Sequence, residues 1–174
     1  YVPVWLVNAP DVASINATVT YRSSVVAATD AKKGSFLDAG TQFAANTNKL
    51  GSVLLGAARS QGLAGTGVMA NLAFRAVGKA GDRTTLAIEV SGVESSSGQA
   101  LPVDRIEGSI TIVGPDGLVP GDCDGDSRLT EPDARCALEM SVQLRPASNR
   151  LDMNGDQQVT ARDATLILQK RVGR

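Results

Sequence analysis

Asp122-Cys123-Asp124-Gly125-Asp126-Ser127-Arg128-Leu129-Thr130-Glu131-Pro132-Asp133 returns thirty residues later as Asp152-Met153-Asn154-Gly155-Asp156-Gln157-Gln158-Val159-Thr160-Ala161-Arg162-Asp163. The two stretches share Asp at positions 1, 5 and 12, Gly at 4 and Thr at 9. Calcium takes six to eight oxygen ligands, and a twelve-residue loop with oxygen side chains at 1, 3, 5 and 12 and a carbonyl at 7 wraps one ion. The first stretch offers Asp122, Asp124, Asp126 and Asp133 with the carbonyl of Arg128. The second offers Asp152, Asn154, Asp156 and Asp163 with the carbonyl of Gln158. Two calcium ions are therefore expected. Carboxylates gathered this closely repel one another without a cation, so the ions are expected to be part of the fold. Asp-Gly and Asn-Gly alone mark ordinary turns; two loops in matched register, each followed by a helical pattern, say more.

Working outward, Thr130 and Thr160 each precede an Asp by three residues, which is a capping-box spacing that starts a helix. Pro132 suits a first helical turn, and Pro146 is expected to stop the first helix after Leu144. Ala134, Leu138 and Val142 are expected on one face of that helix, and Ala164, Ile167 and Leu168 on one face of the second. Leu129 and Val159 at position 8 are placed to pair the loops through a short strand contact. Position 6, where glycine usually supplies a positive φ, is Ser127 or Gln157, costing up to roughly 1 kcal/mol each. With one fewer charge and Gln157 there, the second loop is expected to bind more weakly. Cys123 and Cys136 fit either a disulfide, which suits an extracellular setting, or two buried thiols. They are not a zinc site, because the chain has no His and no other Cys.

Before residue 114 the pattern changes to short alternating segments broken by Gly, Ser, Asn and Asp, the mark of antiparallel strands with one buried face. The clearest are 2–7, 15–21, 51–57, 68–77, 84–90 and 106–113, with turns expected at 33–34, 65–67, 79–82 and 97–98. This spacing makes an all-β sandwich of about nine strands. Residues 115–120 carry Pro and Gly without periodicity and read as a short linker. The sequence thus predicts a β-sandwich over 1–114 and a small α module over 121–174.

Composition narrows the function. The net charge is −1 with both signs intermixed, which gives no basic face for nucleic acid. No apolar run approaches the roughly 20 residues that span a bilayer. Without His there is no Ser-His-Asp or Cys-His arrangement, and the acids of the first domain are scattered, so no enzyme is expected. Gly65-Thr66-Gly67 leads into a strand rather than a helix and is no phosphate loop. Trp5 lies in an apolar strand start and is expected in the core. Tyr1 to Trp5 already reads as strand with no leader before it, so the sequence is expected to be a piece of a longer secreted protein.

The duplicated, Asp-terminated loop and helix over 121–174 resembles the dockerin module, a pair of EF-hand-like repeats lacking the usual entering helix. The resemblance implies calcium-dependent docking onto cohesins through the two helices, with partner recognition at loop positions 10 and 11: here Glu131 and Pro132, and Ala161 and Arg162. These two pairs differ, so symmetric use of both helices is not implied. Val2-Pro3-Val4, the strands 16–21 and 65–74, and Gly108-Ser109-Ile110-Thr111-Ile112 in turn resemble a cohesin, whose fold is a nine-stranded jelly-roll sandwich. Both resemblances imply a non-catalytic, extracellular or cell-surface scaffold component of cellulosome type, polysaccharide-related, with cohesin or dockerin modules of its own or another chain as partners. Head-to-tail docking would then make a homo-oligomer. The alternative is a dockerin carried beside an inert spacer or a carbohydrate-binding sandwich.

Overall fold

A computed structural model describes residues 1–114 and 117–172. By contacts the chain divides into two units, Tyr1–Gly78 with Arg83–Ile110, and Lys79–Asp82 with Thr111–Arg174.

The first unit is built on antiparallel strands β1 (Val2–Thr20), β2 (Val26–Lys33), β3 (Gln42–Asn46), β4 (Ser52–Ala76), β5 (Arg83–Ser95) and β6 (Gly108–Thr111). They are ordered β2-β4-β1-β5-β6, with β3 also on β4. Two strands are very long. The start of β1 pairs with the end of β4 (Val2 opposite Leu72), and the end of β1 with the start of β4 (Thr20 opposite Ser52). Register shifts between Val4 and Ser14 let β1 bend without breaking, as bulges do. Buried side chains come from both halves: Ile15, Ala17, Val19, Val53 and Leu55 from one, Val26, Met69 and Leu72 from the other. The sheet therefore folds over a shared core as a sandwich. Within it Tyr21 meets Phe74 edge-on, 5.2 Å between ring centroids, and accepts the Ala28 amide at 3.2 Å.

This departs from the sequence reading in three places. Six strands are found among the described residues rather than about nine, because 2–7 and 15–21 run on as one strand, as do 51–57 and 68–77. Gly65-Thr66-Gly67, expected as a turn, lies inside β4, where Gly65 at φ +114° supplies the bend. Trp5, expected in the core, is 55 % exposed on β1, beside Tyr1 and Val7, which are also exposed. The side chains of Tyr1, Pro3, Trp5 and Val7 alternate with those of Val2, Val4 and Leu6, which are better covered. An apolar strand can thus present an apolar outer face.

In the second unit, α1 (Glu131–Ser141) and α2 (Ala161–Val172) follow the two loops, and a short 3₁₀ turn (Asn149–Leu151) leads into the second. Ala134, Cys136, Ala137, Leu151, Ala164 and Ile167 form the core, with Cys123, Leu129, Met140, Met153 and Val159 packed around it. Leu129 and Val159 reach this core with no strand pairing between them among the described residues. Side-chain burial does the work expected of a strand contact. The helix faces also differ from expectation. Ala134 is buried, but Leu138 is 45 % and Val142 64 % exposed, because each step of four residues advances about 40° beyond a full turn. The covered face runs through Asp133, Ala134, Cys136 and Ala137. Leu168 is likewise exposed beside buried Ile167. Helix α1 ends at Ser141, three residues earlier than Pro146 suggested. Gln143 at φ +60° donates to Met140 O at 3.0 Å and Leu144 to Glu139 O at 2.8 Å, the paired bonds of a Schellman stop.

Candidate functional site

The two loops have the same hydrogen-bond pattern. In the first, Asp122 accepts the amides of Gly125 at 2.6 Å and Ser127 at 2.8 Å. Asp124 accepts from Asp126, and Asp126 from Arg128. In the second, Asp152 accepts from Gly155 and Gln157, each at 2.7 Å, while Asn154 accepts from Asp156 and Asp156 from Gln158. These bonds wrap the backbone of each loop around its own side chains at positions 1, 3 and 5. Ser127 and Gln157 at position 6 take φ of +62° and +67°, the left-handed conformation the loop requires whatever residue stands there.

Carboxylate oxygens of Asp122, Asp124 and Asp126 lie within 4.8 Å of one another. Three hard anionic oxygens converging on one point fit a hard divalent cation such as calcium. In the second loop Asn154 stands at the middle position, its amide nitrogen donating to Asp156 at 2.8 Å. The last acid of each loop is not part of this converging set. Asp133 and Asp163 are fully buried. Asp133 accepts the Cys123 amide at 2.8 Å through one oxygen and the Thr130 amide and hydroxyl at 2.7 and 2.8 Å through the other. Asp163 does the same with Met153 and Thr160. Each therefore fastens the loop entrance to the helix start. Burial raises the Asp163 carboxyl, but the amides of Thr160, Met153 and Asn154 and the Thr160 hydroxyl outweigh it and hold it below the usual aspartate value.

Cys123 and Cys136 are joined in a disulfide, with Cα atoms 6.4 Å apart. Arg145 donates to the Cys136 sulfur at 3.5 Å, and to Glu139 at 2.7 Å, which Arg135 also reaches. These arginines hold the Glu139 carboxyl below the ordinary glutamate range, the Arg145 hydrogen bond being the largest cause. An open recess on this side of α1 is lined by Glu131, Pro132, Arg135, Cys136, Glu139 and Arg145. Glu131, Pro132, Ala161 and Arg162 are all exposed at the helix starts, and Glu131 also pairs loosely with Arg171 at 3.7 Å. The exposed apolar residues Leu138, Val142, Leu144 and Leu168 were missed. Counting covered positions at i, i+3 and i+4 from Asp133 would have found the first two.

An antiparallel sandwich hosts many functions, and the comparisons name the family of this one. The sequence matches the cohesin domain family over residues 1–112, so the chain belongs to that family. The cohesin domain is a non-catalytic protein-interaction module. A non-cellulosomal cohesin from the hyperthermophilic archaeon Archaeoglobus fulgidus is 26% identical with a TM-score of 0.57, covering 64% of this chain and 78% of that one. The seventh ScaB type I cohesin from Pseudobacteroides cellulosolvens gives a TM-score of 0.58 at 16% identity, covering 64% and 80%. The sixth cohesin of Acetivibrio cellulolyticus scaffoldin B, solved with a Cel5 dockerin variant, gives 0.56 at 18%, covering 63% and 85%. At these last two identities the likeness is one of fold. Comparison with curated proteins gives no match.

Proposed function

We propose that this chain is a scaffold component of an extracellular assembly, joining a cohesin over residues 1–114 to a calcium-organised dockerin-like module over 121–174. The observation carrying the second half is the convergence of Asp122, Asp124 and Asp126 in a loop whose hydrogen bonds recur at the second repeat. The first ion would be held by Asp122, Asp124, Asp126 and the Arg128 carbonyl, the second by Asp152, Asn154, Asp156 and the Gln158 carbonyl, with Asp133 and Asp163 fastening each loop to its helix. Calcium supplies positive charge that offsets carboxylate repulsion and fixes each loop against its helix. The chain's own contribution is to hold α1 and α2 on one small core, with Glu131, Pro132, Ala161 and Arg162 outward and Leu138, Val142 and Leu168 available for burial against a partner. Cohesins solved in complex with dockerins support a dockerin as partner of the sandwich; a cohesin as partner of the helices rests on the loop-and-helix pattern alone.

Sedimentation velocity of the intact chain, at rising concentration with calcium and again with chelator, tests the reading. Calcium-dependent association, or calcium-dependent capture of an added dockerin or cohesin, is expected. Failure of all of these, with helical circular dichroism untouched by chelator, would sink it. Trp5, exposed on β1, and Tyr1, exposed just before it, favour one other reading, a sugar-binding sandwich carried beside the helical module. A tryptophan fluorescence shift on adding soluble polysaccharide would establish it, and an unchanged spectrum would dismiss it.

A further inference from the structure

We infer that the Cys123–Cys136 disulfide positions the first calcium loop, so that reducing it weakens that site while leaving the second nearly unchanged. This rests on the calcium reading of the loops above.

Cys123 stands at loop position 2, between Asp122 and Asp124, two members of the converging carboxylate set. Its amide donates to buried Asp133 at 2.8 Å. Cys136 lies three residues beyond Asp133 on α1 and is 4 % exposed. The bond therefore ties the entrance of the loop to the helix that leaves it. Those are the two segments whose separation limits how far Asp122, Asp124 and Asp126, at positions 1, 3 and 5, can spread from one point. The second loop places Met153 and Leu166 at the matching positions. There the same separation is held without a covalent bond, by the Met153 and Asn154 amides on Asp163 at 2.8 and 3.3 Å and by apolar packing. One of two otherwise parallel loops thus carries a covalent clasp. A cross-link narrows the conformations open to the chain it closes. In the ion-free loop those conformations include ones in which Asp122, Asp124 and Asp126 move apart to relieve their repulsion.

The bond is also placed to open. Cys123 is half-buried while Cys136 is buried, so Cys123 sulfur is the accessible point of attack. A dithiol reductant attacks there as thiolate, and the S–S electron pair leaves on Cys136. The reductant's second thiol then displaces Cys123 and closes its own disulfide, and both cysteines take up protons. Arg145, donating at 3.5 Å to Cys136 sulfur and 3.9 Å to Cys123 sulfur, favours the thiolate that leaves.

The test is calorimetric calcium titration of the full chain in three states: oxidised, reduced by a dithiol with thiols counted, and as the Cys123→Ser, Cys136→Ser double variant. Two sites are expected in the oxidised protein. On reduction, and in the variant, one site weakens about tenfold or more and the other by less than about twofold, with reoxidation restoring the first. Equal affinities in all three states would overturn the inference while leaving calcium binding intact. So would loss of both sites together with helical circular dichroism on reduction, or two free thiols in the air-oxidised chain. If the oxidised chain takes up no calcium, the underlying reading falls first and this inference with it.

Discussion

Ser127 and Gln157 hold a left-handed backbone without glycine's freedom, and both are exposed. Replacing either by glycine removes Cβ crowding at no packing cost, so Ser127→Gly and Gln157→Gly are each expected to stabilise the ion-free unit by up to about 1 kcal/mol. Chemical denaturation of the variants in chelator checks this, and a fall in stability would refute the strain argument. Asp163 carries a pH signature. Its folded carboxyl sits below the usual 3.8, so its stabilisation is complete above that value and is lost as pH falls through the lower folded one. With chelator present to silence any ion, melting followed from about pH 6 down to pH 2 should show an acid-side decline. The Asp163→Asn variant should melt lower at neutral pH and decline less; parallel curves would show that Asp163 is not the titrating group.

Each helix begins with the same fastening, a Thr whose amide and hydroxyl both donate to a buried Asp. Thr130→Ala and Thr160→Ala remove one donor from a fully buried carboxylate, and each is expected to cost about 1 kcal/mol in urea unfolding. A loss below a few tenths would mean the amides alone suffice. After β2, Gly34 donates to Met69 O at 2.8 Å, and a Cβ there would run into the backbone carbonyl of Val68. Since backbone cannot swing aside as a side chain can, Gly34→Ala is expected to destabilise the sandwich by about 2 kcal/mol or more; a wild-type melting temperature would contradict that geometry. These elements differ in how well the sequence announced them. The loops and caps were legible because their chemistry is local: Asp122, Thr130 and Asp133 satisfy one another within twelve residues. The strand boundaries were not, because Gly65 reads as a turn in isolation and only its position opposite the register shift between Leu6 and Ala9 keeps β4 continuous. Trp5 misled for a related reason. Its side of the sheet is decided by which residues of β1 find a core behind them, and its alternation with Val4 and Leu6 could not say which set would.

Across the whole molecule the two units depend on different physics. The sandwich buries Tyr21 and branched side chains from both halves of its sheet, whereas the helical unit closes on two leucine- and isoleucine-sized residues, several alanines and a cysteine. Under the calcium reading, chelator should lower the melting temperature of the second unit while the β signal and the melting of the first persist. A single transition, unmoved by chelator, would show that the small core stands without ions. The long pairing of β1 with β4 has a further consequence, for synthesis. Val2 finds its partner only at Leu72, seventy positions later, and Thr20 pairs across to Ala87 on β5. Such distant partners make folding slow, and a chain emerging from the ribosome amino end first must present Tyr1 to Val7 unpaired until most of the sandwich has been translated. The helical repeats, only thirty residues apart, can close almost as soon as they emerge. Within the sandwich, the strand made first is thus among the last to be secured, and that apolar strand is where a nascent chain most needs shielding from its neighbours.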